Sequence, residues 1–391
     1  MGLRDHVICD SDLHVMEPPD LWERYIDPAF AHAAPRGMME IPRDMRVKVK
    51  NSVMLRLPAV RPVRAAPTQT RGGWRPEHDN AYAASEARGW DAQSQVDAMD
   101  AEGLDLAVLF PSRGLFVLGL DSVEQMGIDG LEPEYATAIS RAYNDWMKDF
   151  CDHAPDRMFG AGMVPPHDVE GAVAEARRCV EELGFRAIFL APSTVNRRPW
   201  HHHVYDPLWA EIERLDVPVG FHGGGQTYLR PDFSLEVLDT LMLWHTFSQP
   251  LGIQFATACF CGGGILERFP NLRLALLEGN CSWAPWFLYR LDEHYEWTGA
   301  SEAPELTMPP SEYFKRNCWI SVEADEEPVT HFIDSFGADR LLFSTDYPHG
   351  DSKFPHAVDT FDKLPVDDAD KARIVGSNWE ALYKIPLVKK T

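Results

Sequence analysis

Ile8-Cys9-Asp10-Ser11-Asp12-Leu13-His14-Val15 sets the pattern of the chain: an apolar lead-in runs into an acid-x-His pair. Side chains alternate along a strand, so Asp12 and His14 project to one face, with Asp10 one step deeper. The stretch reads as a strand that emerges at a metal site. Far along the chain, Leu341-Leu342-Phe343-Ser344-Thr345-Asp346 is a second strand of buried type, and it too runs into a carboxylate.

Between these two, helices and strands alternate. Residues 106–110, 158–164, 185–190, 217–222, 272–278 and 318–323 read as strands. They are apolar runs rather than alternating ones, as expected when both faces are covered. Helices are expected over 94–102, 133–152, 169–183, 206–215, 235–269, 283–297, 327–336 and 369–383, with Gly103 and Gly184 as stops. Eight strands, most of them followed by a helix, predict an α/β fold: one closed (β/α)8 TIM barrel spanning residues 1–391. Such barrels take about 250 residues, so the excess goes into a double helix after strand five and an insertion after strand one. That insertion, residues 17–90, is rich in Pro, Arg and Ala. It includes Ile41-Pro42-Arg43, Arg61-Pro62-Val63-Arg64 and Arg71-Gly72-Gly73-Trp74-Arg75-Pro76. A loop of this length is expected to be a cap or lid, its arginines candidate contacts for an anionic substrate.

Hydrophobic residues make up 45% of the chain, ample for a large core. No run approaches the roughly 18 apolar residues of a membrane span, and the N-terminus lacks signal-peptide character. Seven scattered cysteines form no disulfide framework, and a cytoplasmic location is expected. A net charge of −23 argues against nucleic acid and anionic membranes as partners. It leaves the sign of a small-molecule substrate open, because a metal inverts the field inside a pocket.

Barrel chemistry sits at the C-terminal ends of the strands. Four strands end in metal-competent side chains: Asp12 and His14 on the first, His222 on the fifth, Glu278 on the sixth and Asp346 on the eighth. Each alone reads equally well as a hydrogen-bonded strand end; a barrel brings all of them to one rim. Glu17, His245 and His349 are candidates for a supporting shell or a second metal. Mixed His and carboxylate donors suit Zn, Mn or Fe, as one ion or two. His201-His202-His203, His167 beside Asp168, and Glu323 read more simply as loop, capping and rim residues. There is no phosphate-binding Gly-x-Gly-x-x-Gly loop in strand–helix context and no Gly-x-Ser-x-Gly elbow.

The motifs Asp10-Ser-Asp-Leu-His-Val-Met-Glu17, Gly220-Phe-His222-Gly-Gly, Leu277-Glu278-Gly, Arg290-Leu-Asp-Glu-His294 and Phe343-Ser-Thr-Asp346-Tyr-Pro-His349 resemble the amidohydrolase superfamily. The resemblance is to the branch that contains aminocarboxymuconate semialdehyde decarboxylase and related aromatic acid decarboxylases and hydrolases. It spans nearly the whole chain and implies a metal-dependent (β/α)8 barrel, with ligands at Asp12, His14, His222 and Asp346. Two departures stand out: Asp12 where many members have His or Glu, and Glu278 where the decarboxylases place a catalytic His. A carboxylate there favours water as the nucleophile. The leading expectation is therefore a metal-dependent hydrolase of a small carbonyl or carboxylate substrate. Asp346 would be ligand and base, and His245 or Glu278 would protonate the leaving group. A non-oxidative decarboxylase is the alternative. A dinuclear thioester hydrolase or amine oxygenase component, with Glu278 bridging, is another, and a metal-free subunit of a hetero-oligomer the last. A homo-oligomer is expected, with a hetero-oligomer as its alternative.

Overall fold

The computed structural model describes residues 2–41, 43–54, 76–119, 130–195, 198–223, 238 and 240–389. Strand β1 (Cys9–His14) is buried at every position. Seven more strands follow: β2 (Leu106–Phe110), β3 (Met158–Met163), β4 (Ala187–Leu190), β5 (Val219–His222), β6 (Leu274–Leu277), β7 (Cys318–Val322) and β8 (Leu341–Phe343). They hydrogen-bond in that order in one sheet, every pair parallel. The seam between last and first is closed by other means. His14 N–H donates to the Tyr347 carbonyl at 2.7 Å. The Asp10 carboxylate accepts from Thr345 N at 3.2 Å and Thr345 Oγ1 at 2.5 Å. The result is a nearly closed TIM barrel, as the alternation predicted.

The strands are shorter than expected, because the terminal acids Glu278, Glu323 and Asp346 lie just past the paired residues. That places them on the loops of the functional rim. Inside the barrel Phe110 crosses toward β5, where a Cβ on Gly220 would sit 2.7 Å from its Cε1. Only glycine leaves room for the ring there.

Around the barrel run α1 (Ala92–Glu102), α2 (Pro133–Cys151), α3 (Val169–Glu181), α4 (Asp206–Leu215), α5 (Leu241–Thr257), α6 (Ala284–Glu302), α7 (Pro310–Asn317), α8 (Val329–Phe336) and α9 (Asn378–Tyr383). Asp91 caps α1 by accepting from Ser94 N at 2.8 Å, and Gly103 ends it at φ +90°. Helix α7 was not foreseen; Pro309-Pro310 starts it with a proline at the first turn. The helix expected over 369–383 is interrupted by a π-helical stretch, Arg373–Ser377. None of the helices in the described residues is long and apolar enough to cross a membrane.

The insertion after β1 carries structure of its own. It has a short helix (Leu21–Tyr25), a three-stranded antiparallel sheet (Arg36–Gly37, Val47–Val49, Ser52–Met54) and two helices (Pro76–Ala81, Ala83–Ala87). Arg113, buried behind it, donates to the carbonyls of Glu17 at 2.9 Å and of Met38 and Arg46 at 3.1 Å. Tyr82 stacks on Phe354 at 5.5 Å, and Ser85 Oγ meets Tyr347 Oη at 3.2 Å. Two of the insertion's arginines are engaged by its own carboxylates rather than free for substrate. Arg43 pairs with Asp79 at 3.0 Å and Glu86 at 2.6 Å, and Arg46 with Asp44 at 2.7 Å. Pro42, Arg61, Arg64, Arg71 and Arg75 lie outside the described residues.

Candidate metal centre

Strand β1 ends with Asp12 and His14 fully buried, and β5 ends with His222 fully buried. A β-bulge between Asp10 and Leu13 shifts the register, yet Asp12 and His14 still face one point. His14 Nδ1 lies 2.7 Å from the Pro111 carbonyl, and His222 Nδ1 lies 2.9 Å from the Gly223 carbonyl. A carbonyl only accepts, so both Nδ1 atoms carry the proton and both Nε2 atoms carry a lone pair. Those lone pairs point at carboxylate oxygens. His14 Nε2 lies 3.3 Å from Asp12 Oδ1 and 3.4 Å from Asp346 Oδ1. His222 Nε2 lies 3.4 Å from Asp12 Oδ1 and 3.1 Å from Glu278 Oε2.

Acceptors facing acceptors in a buried pocket repel one another unless a cation lies between them. Both oxygens of Asp12, both Nε2 atoms, Glu278 Oε2 and Asp346 Oδ2 are buried with no hydrogen-bond partner. The donor set therefore fits a divalent metal: Asp12, His14 and His222 form one group, and His222, Glu278 and Asp346 an overlapping one. Burial raises the Asp12 carboxyl well above its usual range, aided by Glu278 and Asp10. It raises Asp346 likewise, aided by Asp351 and Glu278. Burial also pushes His222 down to about 4 and His349 to about 3, so both imidazoles are neutral near pH 7.

Backbone strain marks the same spot. Glu278 has φ +48° and Asp346 φ +54°, in the left-handed region that residues other than glycine seldom occupy. Such conformations cost about 1–3 kcal/mol each and persist where the surroundings impose them.

Helix α5 brings His245 to the opposite side of Glu278. Its Nε2 lies 3.5 Å from Glu278 Oε1, and its Nδ1 lies 4.0 Å from Asp351 Oδ2. Burial opposes a charge on His245, but the Glu278 hydrogen bond and the charge on Asp351 outweigh it and lift the imidazole to about 9. Glu278 thus divides its oxygens between His222 and His245, and His245, Glu278 and Asp351 form a further donor group.

Glu17 does not join these donors. Its carboxylate accepts from the backbone N–H groups of Ser112 at 3.1 Å, Arg113 at 2.8 Å and Gly114 at 2.9 Å. Four residues past Leu13, the chain has already turned away from the strand axis. His349 sits beside Asp346, its Nδ1 2.8 Å from Asp346 Oδ1 and its Nε2 2.9 Å from Ser112 Oγ. Sequence reasoning passed over Asp351 and Ser112. The signal for Asp351 was its place in His349-Gly350-Asp351, just beyond the last strand; for Ser112 it was the Pro111-Ser112 step after β2. Glu323 stays outside the donor groups, as does the histidine triplet. His202 caps Val204 N at 3.1 Å, and exposed His203 pairs with Asp206 at 2.7 Å. His167 lines a shallow cleft on the same rim, walled by Leu115, Leu118, Val164, Phe189 and Thr194. Phe189 meets Phe110 at 6.3 Å, and Phe110 stacks on His222 at 6.3 Å, so one ring separates the cleft wall from the metal donors.

Comparison with known proteins places this geometry. The sequence model of the amidohydrolase family matches residues 9–385. A γ-resorcylate decarboxylase from Rhodococcus jostii is 29% identical over 267 residues, covering 65% of this chain and 79% of the relative. An amidohydrolase from Mycobacterium avium subsp. paratuberculosis superposes with a TM-score of 0.75 at 20% identity, over 97% of this chain and 99% of the other. A 5-carboxyvanillate decarboxylase from Novosphingobium aromaticivorans, solved with manganese and 4-hydroxy-3-methoxy-5-nitrobenzoic acid, gives 0.68 at 19% identity, over 97% of both chains.

Proposed function

The chain belongs to the amidohydrolase family, and on that premise we propose that it is a metal-dependent, non-oxidative decarboxylase of a phenolic aromatic acid. The observation that carries this reading is the His245–Glu278 contact at 3.5 Å. In the sequence, a carboxylate at the end of the sixth strand weighed against decarboxylation, because ring-carbon protonation suits an imidazole. The imidazole is nevertheless supplied, from α5, and Glu278 holds it in its protonated form. The reactions of the curated relatives support the same shift away from the hydrolase reading.

Asp12, His14, His222 and Asp346 would hold the cation, which when bound supplies a fixed positive charge for an anionic substrate. The apolar side chains of Leu115, Val164 and Phe189 on the same rim would pack against the aromatic body. His245 gives its proton to the ring carbon that bears the carboxylate. The bond between ring carbon and carboxylate then breaks, its electron pair returns to the ring and carbon dioxide leaves. Asp351, its side chain 56% exposed at the mouth, links His245 to solvent for reprotonation.

The test is a panel of hydroxybenzoic and methoxy-hydroxybenzoic acids incubated in D₂O with carbon dioxide detection. One deuterium at the vacated ring position with matching carbon dioxide supports the assignment. Water oxygen in the product without carbon dioxide restores the hydrolase.

A second reading follows from the divided carboxylate of Glu278. With His245 and Asp351 as donors to a second ion, Glu278 would bridge two metals, and His245 would not carry a proton. Metal analysis of the purified protein separates the two: near one ion per chain supports the proton donor, near two the bridge.

A further inference from the structure

The turn that follows β2, Pro111-Ser112-Arg113-Gly114, touches the centre without supplying a ligand to it. Its Pro111 carbonyl takes the Nδ1 proton of His14 at 2.7 Å. Its Ser112 hydroxyl lies 2.9 Å from His349 Nε2, and the other nitrogen of that ring lies 2.8 Å from Asp346 Oδ1. The His349 ring also stacks on His14 at 4.0 Å between centroids. Glu17 anchors the turn through its three backbone N–H groups, and the approach is close: a Cβ on Gly114 would meet Pro111 Cβ at 2.6 Å and Glu17 Oε1 at 3.1 Å.

From this we infer that Ser112 is a positioning residue that acts through His349 on Asp346. An ionised carboxylate oxygen only accepts, so the short contact to Asp346 needs a proton on His349 Nδ1. In the neutral ring Nε2 is then the acceptor, and the partner that can give it a proton is the Ser112 hydroxyl. The Asp346 carboxylate thus selects the His349 tautomer, and the Ser112 hydroxyl supports it by donating to Nε2. That tautomer holds Asp346 Oδ1, the oxygen that also lies 3.4 Å from His14 Nε2, while Asp346 Oδ2 is buried without a hydrogen-bond partner. The Pro111 carbonyl fixes the tautomer of His14, so one turn holds two stacked imidazoles that both reach Asp346 Oδ1. Partners of this kind, which orient a ligand without touching the metal, typically change affinity by about 10- to 100-fold.

This assignment rests on Asp346 and His14 as ligands, and its test is independent of the substrate. In Zn²⁺-loaded protein labelled with ¹⁵N-histidine, His349 is expected to show a protonated Nδ1 and an unprotonated Nε2. The opposite tautomer overturns the inference without any variant. Titration with Mn²⁺ is expected to show an affinity lower by about tenfold or more for Ser112→Ala, with wild-type affinity for Ser112→Thr, which keeps the hydroxyl. His349→Phe keeps the ring stacked on His14 and loses both hydrogen bonds, so it is expected to match Ser112→Ala. Adding Ser112→Ala to it is expected to cost nothing more. Equal Mn²⁺ affinity in Ser112→Ala and wild type, or additive losses in the double variant, would refute the coupling. Decarboxylase activity enters none of these readouts, so a failure of the substrate class leaves the role of Ser112 standing.

Discussion

His245 on helix α5 and Glu278 beyond strand β6 meet at 3.5 Å, a helix imidazole held by a strand-end carboxylate. The pairing shapes the expected pH dependence. With His245 lifted to about 9, the proton donor is loaded through neutral pH, and turnover is expected to fall as pH rises through about 9. Glu278→Gln removes the hydrogen-bonding partner that raises it, so the falling limb is expected to move to lower pH. His245→Gln is expected to lower kcat by roughly a hundredfold or more. An alkaline limb that stays in place in Glu278→Gln would detach Glu278 from the proton donor.

Metal binding should respond to pH in the opposite direction. Burial raises Asp12 and Asp346, so the metal-free protein holds protons that a cation must displace. Apparent Mn²⁺ affinity is therefore expected to rise with pH, by up to about tenfold per unit for each proton released. Calorimetry in two buffers of different ionisation enthalpy measures that release, and none between pH 5 and 7 would contradict it. Asp346→Asn is expected to bind metal poorly yet melt no lower than metal-free wild type, because asparagine tolerates the positive φ and carries no charge.

A carboxyl far from the centre gives a stability test. Glu102 is buried on α1, accepts from Val358 N at 2.8 Å, and has its second oxygen unpartnered. Burial raises it from 4.5 to about 7. Between those values the folded protein keeps a proton that the unfolded chain has lost, so stability declines as pH rises across the window. Above it the penalty is up to about 3 kcal/mol. Glu102→Gln is expected to stabilise the protein at pH 8 and to change little at pH 4, read from denaturant midpoints. An equal difference at both pH values would point to packing instead.

The insertion is stapled to the rim by Tyr82, stacked on Phe354 and edge-on to Tyr347 at 5.6 Å. Tyr347 directly follows Asp346, so the staple lies next to the centre. Tyr82→Ala is expected to raise KM more than it lowers kcat and to speed proteolysis within residues 17–90. Unchanged KM with faster proteolysis would make the insertion a cover without a part in substrate binding.

Most of the scaffold was legible because the barrel repeats one signal: an apolar run, a helix stop and a polar strand end. His14, His222, Glu278 and Asp346 were readable since a parallel barrel delivers every strand's C-terminus to the same rim. Glu17 was named for a supporting shell or a second metal; it stands apart from the donors and holds the turn after β2, whose course the strand pattern does not record. His245 was named, but its partners were not, since only the path of α5 brings Glu278 and Asp351 to it. Asp351 and Ser112 lie on connections, whose course no periodicity records. The three-stranded sheet of the insertion was missed for a related reason: strands as short as Val47–Val49 leave too few residues to show an alternation.

The seam of the barrel also bears on how the protein is made. Asp10 and Thr345, joined across it, are 335 residues apart in the chain, so a ribosome adding 5–20 residues per second needs on the order of half a minute to make both. Throughout that interval the β1 edge has no β8 beside it, and the buried acids of the first strand have no Asp346 opposite them. Nascent chains are therefore expected to expose an apolar, acidic half-site, a target for chaperones, until the last strand closes it.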